Sequence, residues 1–363
     1  MPKRVSVDKW LFGVTLLLVF IGLMMVFSAS AVIAKDRFGS PYSFLLRQLM
    51  WTFAGLVAMV LMMNFDYRRL KSSSVVFTVL GVTSLLLLAV FFLDRHANTH
   101  RWIRLAGLSL QPSELAKPAI ILFLAYFLEA RYKRIDDLRH TLLPVIVPTL
   151  IFTVLIVAEP DLGTAMAICV ITAAVLFTAG MKLRHFGYAL LAAAGPLYYL
   201  IFLTPWRVRR ILAFVHPDRD PLGAGFHITQ SLIAVGTGGI FGQGLMEGKQ
   251  KLFYLPEPQT DFIFAVIAEE WGLIGSVVIV ILFAVFCYCG LRTATRTRDH
   301  FARFLAVGIT AMVGMQAFFN ISVVLGMLPT KGIPLPLISY GGSSLFITLI
   351  SIGVLLNITQ QTD

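Results

Sequence analysis

An all-α integral membrane protein, a polytopic helical bundle of about ten transmembrane segments with one large extracytoplasmic loop, is predicted by composition, run length and the placement of positive charge. Of 363 residues, 58% are hydrophobic and 13% are charged, which is more apolar side chain than a soluble core of this length can bury. The surplus falls in runs near the ~20 residues that a helix needs to cross ~30 Å of hydrocarbon. A net charge of +11 would point to nucleic acid in a soluble protein. Here the basic residues sit in short segments between apolar runs, a pattern that excludes nucleic acid and points to membrane lipids with anionic headgroups.

The predicted spans, in order, are 10–32, 45–64, 74–93, 116–130, 141–158, 163–181, 186–203, 261–290, 304–327 and 337–358. Lys3 and Arg4 ahead of an apolar run that contains Ser28-Ala29-Ser30-Ala31 resemble a secretory signal. The run exceeds the roughly 7–15 residues of a signal's apolar region, so it is read as an uncleaved first span. Pro144 and Pro148 make 141–158 a bent or partial span. Cys169, Cys287 and Cys289 lie inside apolar runs and read as small packing residues, with neither a disulfide framework nor a zinc site. No internal repeat divides the chain, and 1–363 is read as a single membrane domain.

Segments 65–73, 131–140, 182–185 and 291–303 are rich in Arg and Lys and share one side with Lys3, Arg4 and Lys9. The positive-inside bias makes that side cytoplasmic, with both termini there. Loops 33–44, 94–115, 204–260 and 328–336, with the break Glu159-Pro160-Asp161-Leu162-Gly163, then face outward. Loop 204–260 is too long to be a mere connector.

The outer segments carry the unusual chemistry. Asp261 stands where Pro256-Glu257-Pro258-Gln259-Thr260 enters an apolar run. A carboxylate there can take a proton from a sugar hydroxyl at the membrane surface, although Thr260 or Asp261 could equally cap a helix. Glu114 and Lys117 are spaced to pair on one helical face, either as a surface ion pair or at the border of a polar cavity. Glu269 and Glu270, roughly two turns below Asp261, require a cavity, a cation, a proton or buried hydrogen bonds. Arg101, Arg104, Arg207, Arg209, Arg210, Lys249, Lys251 and Lys331 offer cations suited to a diphosphate, or simply to headgroups and loops. No phosphate-binding Gly-Lys-Ser/Thr loop, zinc-binding His pair or nucleophilic Ser elbow occurs.

Together these segments resemble the SEDS family, the shape, elongation, division and sporulation proteins. The likeness rests on Arg101-Trp102-Ile103 with Gln111-Pro112-Ser113-Glu114 and Lys117; Pro160-Asp161-Leu162-Gly163-Thr164; Asp220-Pro221 to Gln230-Ser231; Leu255-Pro256-Glu257 with Thr260-Asp261-Phe262-Ile263; and Leu335-Pro336 with Ile338-Ser339-Tyr340-Gly341-Gly342-Ser343-Ser344. Ser28-Ala29-Ser30-Ala31 and Leu328-Pro329-Thr330-Lys331-Gly332 look more like division members, whereas Asp220-Pro221-Leu222-Gly223-Ala224-Gly225 is similar to elongation members. Gln259 replaces a His that often precedes the Thr-Asp pair, and Glu159 stands where the family often has Gln.

The resemblance implies a peptidoglycan glycosyltransferase that polymerises lipid II, an undecaprenyl-diphosphate-linked disaccharide peptide, during division. It implies Asp261 as general base and a cavity holding Glu114, Lys117, Arg101, Thr260, Ser343 and Ser344. Arg207, Arg210, Lys249 and Lys331 are the candidates for the diphosphate. It implies no certain metal site, leaves room for a divalent cation (Mg2+ or Mn2+), and suggests a class B penicillin-binding protein transpeptidase and other division proteins as partners. A lipid II flippase and a non-enzymatic division scaffold are the competing readings; a flippase needs access from both faces.

Overall fold

The computed structural model describes residues 7–94, 100–105, 108–217, 223, 225–252 and 254–361. Lys3, Arg4 and most of the 220–225 motif lie outside the described residues. Asp8 opens α1 (Lys9–Phe38), its carboxylate accepting the Trp10 and Leu11 N–H groups at 2.9 and 3.1 Å. Gly39, left-handed at φ 73°, closes it. After α2 (Ser43–Asn64) and α3 (Ser73–Leu93), strands β1 (Ile103–Leu105) and β2 (Leu108–Leu110) form an antiparallel pair with Ile103 opposite Leu110. The pair leads into α4 (Pro112–Ala130), where Pro112 occupies the first turn and loses no intrahelical bond.

Next come α5 (Leu143–Ala158), α6 (Leu162–Thr178), α7 (Leu183–Phe202), α8 (Pro205–Val215), α9 (Phe226–Gly238), α10 (Ile263–Arg296), α11 (His300–Val324) and α12 (Gly342–Thr359). Among the described residues, 8 helical segments are long and apolar enough to cross a membrane. The other two predicted spans are α4, which carries Glu114, Lys117 and Glu129, and α6, of 17 residues. All ten predicted runs are therefore helical, and the chain is a multi-pass membrane protein. The large loop is less irregular than its length suggests, since α8 and α9 lie within it and α9 packs on α10.

The core is built on α4, which packs against α3, α6 and α11, while α2 pairs with α12 and α1 with α10. Ile120, Leu124, Phe286 and Phe304 are fully buried among these helices. At the opposite extreme α7 buries none of its residues in the protein. Its Leu190, Leu191 and Tyr199 are left for lipid.

The two groups of loops predicted to lie on opposite sides gather at opposite ends. At the basic end Tyr67 N–H donates to Asn357 Oδ1 (3.0 Å), Tyr67 Oη to Asp299 (3.0 Å) and Lys71 to Glu129 (2.5 Å), and Lys182 pairs with Asp136 (2.6 Å). At the other end Ser339 donates to Thr260 O (2.6 Å), Tyr340 N–H to Gln259 O (2.8 Å), and Gln111 Nε2 to Asp161 (3.3 Å).

The long α10 is interrupted at Gly272, whose φ of 66° and ψ of −160° leave the helical region. The chain after α9 enters this break and satisfies its backbone. Gln243 and Gly244 N–H donate to Glu269 and Glu270 O (2.9 and 3.1 Å), while Leu273 and Ile274 N–H donate to Gly239 and Ile240 O (2.9 and 3.3 Å). Broken helix at membrane depth survives only with such partners. Beside it, Glu270 accepts Lys251 Nζ (2.5 Å) and Ser28 Oγ (2.6 Å), and Glu269 accepts the Lys249 and Gln250 N–H groups (2.7 and 3.2 Å). Of the four alternatives, Glu269 takes buried hydrogen bonds, while Glu270 takes a cation, Lys251, with a hydrogen bond from Ser28 beside it. Lys251, 4% exposed in its side chain, is committed to Glu270. Ser28 lies inside α1 and is part of this packed cluster.

Candidate functional site

A polar cavity of about 410 Å³ lies at the end opposite the basic loops. Its wall is assembled from separate elements: Arg101, Trp102, Arg104 and Ser109 around the β1–β2 hairpin; Gln111, Glu114 and Lys117 from α4; Asp161 and Thr164 from α6. Thr260 and Asp261 come from the approach to α10, Gln316 from α11, and Gly332, Tyr340 and Ser344 from the chain around α12, with Trp51 from α2.

Asp261 does not cap α10. The helix starts after Phe262 without a side-chain cap, and Thr260 Oγ1 instead donates to Glu257 O at 3.2 Å. The Asp261 backbone is fixed by Asn320, whose Nδ2 donates to Asp261 O (2.8 Å) and to Ile333 O (2.7 Å). That tie places Gly332 against the carboxylate, where a Cβ would lie 2.8 Å from Oδ2. Asn320 is about 30 Å along α11 from its basic end, so Asp261 stands near the far border of the hydrocarbon. Burial, with Glu257 and Asp161 nearby, raises its carboxyl from 3.8 to about 7 despite the opposing influence of Arg101 and Arg210. A carboxylate held near neutrality at a cavity wall is suited to receiving a proton.

Glu114 and Lys117 form the floor. Lys117, 2% exposed, donates to both Glu114 oxygens at 2.9 Å and to Gln316 Oε1 at 3.0 Å. Ser344 Oγ donates to Glu114 Oε2 at 2.7 Å, so α4, α11 and α12 are bound together through one buried ion pair. The pair borders a cavity rather than decorating a surface. Gln316 escaped the sequence reading; its signal was an amide within an apolar run, where a polar side chain needs a buried partner.

Arg101 is held at the wall by the α5–α6 corner. Its Nε donates to Glu159 O at 3.0 Å and its Nη2 to Pro160 O, while Asp94 accepts the Arg101 N–H at 3.0 Å. In the same corner Asp161 caps α6 through Thr164 N–H (3.1 Å).

Asp261, Glu114, Lys117, Arg101, Thr260 and Ser344 therefore share one cavity. Ser343 lies behind it, its Oγ accepting Gln111 N–H at 3.4 Å. The four diphosphate candidates are not among the lining residues. Arg210 is near enough to influence Asp261 and donates to Thr330 O at 3.5 Å. Lys331 packs beside Met166, with burial and the neighbouring Arg207 and Arg210 lowering its ammonium to about 8 against the pull of Asp161. Arg207 donates to Leu200 O (2.8 Å) and stacks on Trp206. Lys249 is exposed beside Glu269. Among the described residues no group of three His, Cys, Asp or Glu side chains could hold a metal ion. The donor set does not make a protein cage for a divalent cation.

The family model described as "Cell cycle protein", FTSW_RODA_SPOVE, matches residues 8–363. The chain is 45% identical over 359 residues to a probable peptidoglycan glycosyltransferase FtsW of Geobacter sp. strain M18, covering 98% of this chain and 97% of that one. It is 42% identical over 361 residues to stage V sporulation protein E of Bacillus subtilis strain 168, covering 99% of each. Among solved structures, a chain from work on structural coordination of polymerization and crosslinking by a peptidoglycan synthase complex superposes with a TM-score of 0.80 at 31% identity, covering 97% of each chain. The rod shape determining protein RodA of Thermus thermophilus does so with a TM-score of 0.72 at 29% identity, covering 100% of each.

Proposed function

The chain belongs to the FtsW/RodA/SpoVE family of cell cycle proteins, and from that premise we propose that it is a peptidoglycan glycosyltransferase that polymerises lipid II at the outer face of the bacterial inner membrane. The observation that carries this reading is the Asp261 carboxylate. It lines a polar cavity, makes no helix cap and lies close to Arg101 and Arg210. The similarity to proteins named as FtsW glycosyltransferases supports the reaction class and the division role.

In the proposed reaction an acceptor sugar hydroxyl of lipid II loses its proton to Asp261 as its oxygen attacks the anomeric carbon of the growing strand. A carbon–oxygen bond forms, the bond to diphosphate breaks, and undecaprenyl diphosphate departs with the electron pair. Arg101 and Arg104 on the wall, with Arg210 close by, offset the negative charge that develops on the leaving group. The floor of Glu114, Lys117, Gln316 and Ser344 closes the cavity on its inner side, which favours a polymerase over a flippase. The basic end and both termini are assigned to the cytoplasm. The partner is a class B penicillin-binding protein that cross-links the strands, and enrichment at the division site follows from the division role. The synthase complex that the fold resembles supports such a pairing.

The test uses purified protein with its penicillin-binding partner and labelled lipid II in detergent, which removes the compartments that transport needs. Long glycan strands from wild type, and none from Asp261→Asn that still folds and retains the partner, are the expected result. Strands from the variant would overturn the role of Asp261. Transbilayer movement in liposomes without polymer from wild type would establish the flippase instead.

A further inference from the structure

Glu159 is a fully buried carboxyl near the cavity that the proposed reaction does not use. Its side chain is 0% exposed, and neither carboxyl oxygen has a hydrogen-bond partner. A group in that state calls for an explanation, because an ionised carboxylate without donors is costly to bury. It is not among the cavity-lining residues, yet its own carbonyl, with that of Pro160, holds the guanidinium of Arg101, which is.

We propose that Glu159 is a positioning residue whose protonation sets the place of Arg101 at the cavity wall. As a neutral acid it leaves the guanidinium on the two corner carbonyls, facing the cavity. As a carboxylate it becomes a stronger acceptor behind the wall and draws the guanidinium off those carbonyls, because charge-assisted bidentate pairing outcompetes neutral carbonyls. One elementary step is involved: loss of a proton from Glu159 to solvent, followed by exchange of hydrogen-bond acceptors by Arg101.

The charged groups that face Glu159 are Arg101, from the chain before β1, and Asp161, from the start of α6. Asp94, at the end of α3, holds the Arg101 backbone, and Asp261 and Lys331 lie beyond, influenced by Arg101 and Asp161 respectively. Burial first and Asp161 second raise the Glu159 carboxyl from 4.5 to about 8, with Arg101 opposing. The neutral form therefore prevails at neutral pH, and the carboxylate forms on the alkaline side.

This inference rests on the polymerase reading, so the test has an arm that does not depend on it. Polymer formation from labelled lipid II is followed from pH 6 to 9 for wild type and Glu159→Gln, whose neutral amide has the shape of the protonated acid. One pH unit above its midpoint a single group keeps about a tenth of its neutral form. Wild type is therefore expected to lose roughly tenfold more activity than the variant between pH 7 and pH 9, with equal rates at pH 7.

In parallel, the melting temperature of the same two proteins is measured across that range. Stability from the neutral acid is full below 4.5 and is lost as pH rises through about 8, so wild type should fall relative to Glu159→Gln until the difference levels above that value. In an Arg101→Ala background the levelling point should move to higher pH, since the cation that favours the carboxylate has gone. A packing role alone would not move it.

Superimposable pH–rate profiles with active wild type would overturn the positioning role and leave the polymerase reading standing. A melting difference that does not vary with pH, or that ignores Arg101→Ala, would overturn the proposal whatever the activity. Absence of polymer from wild type, with the melting profiles as expected, would count against the polymerase reading and leave the Glu159–Arg101 linkage in place.

Discussion

At the scale of single residues, Asp261 combines a cost to the fold with a use in the reaction. Its carboxyl is raised from 3.8 to about 7, so the stability of the neutral form is full below 3.8 and disappears as pH rises through about 7. Asp261→Asn should melt above wild type at pH 8, with the difference shrinking toward acid pH. It should lose at least ~100-fold in polymerisation, the lower range for a positioned base. A melting scan beside a lipid II assay checks both signs. In wild type the acid limb of kcat/KM should have its midpoint near 7, because the base acts only when deprotonated.

Gly332 offers a second residue-scale test. A methyl there would lie 2.8 Å from Asp261 Oδ2, while the position itself is exposed. Gly332→Ala should change stability by no more than about 0.5 kcal/mol, yet lower kcat between about ten- and a hundredfold by displacing the carboxylate. Equal kcat would show that the space beside Oδ2 is not used. Asp261 was legible in the sequence as a candidate with a helix cap as its equal rival, and the uncapped start of α10 separates the two. The close approach of Gly332 to Oδ2 was not legible there, since it depends on the ties that Asn320, Ser339 and Tyr340 make between residues 259–261 and the chain before α12.

At the scale of elements, run length and charge placement were enough to find the membrane helices, because hydrocarbon allows few other backbone states. What they could not locate was the interruption of α10. A glycine in an apolar run is compatible with a continuous helix, and only the partner segment 239–244 reveals the break. Without it α10 would rise about 51 Å, well beyond a ~30 Å slab. Gly272 has φ 66°, and a Cβ there would meet Gly242 N and Ile240 O. Gly272→Ala should therefore destabilise by more than 1 kcal/mol (~2–3 kcal/mol). It should also loosen the segment held by Glu269 and Glu270, which hydrogen exchange at Gln243 and Gly244 would report. Unchanged exchange would mean that the backbone bridge does not hold the loop.

At the scale of the whole molecule, the cavity and the apolar pocket beneath it share helix faces but not chemistry. Along α4 the face passes from Glu114 to Pro118 and Leu122, along α11 from Gln316 to Ile309 and Leu305, and along α12 from Ser344 to Ile347 and Val354. The lower pocket, about 210 Å³, offers almost no polar surface, so an ion or sugar that reached the floor would have nothing to bind below it. Access should then be one-sided. In a background lacking Cys169, Cys287 and Cys289, single cysteines would be introduced at Ser109 and Gln316 in the cavity and at Thr295 at the basic end. A membrane-impermeant thiol reagent added outside intact cells should modify the Ser109 and Gln316 variants, the latter more slowly. The Thr295 variant should react only after the membrane is opened. Gln316 is the deciding position, because it lies at the floor beside Lys117. Its modification from both faces would mean that the floor opens during function, as a flippase requires. Modification from the outer face alone would fit an enzyme that keeps its reacting groups on the side where the glycan strand is released.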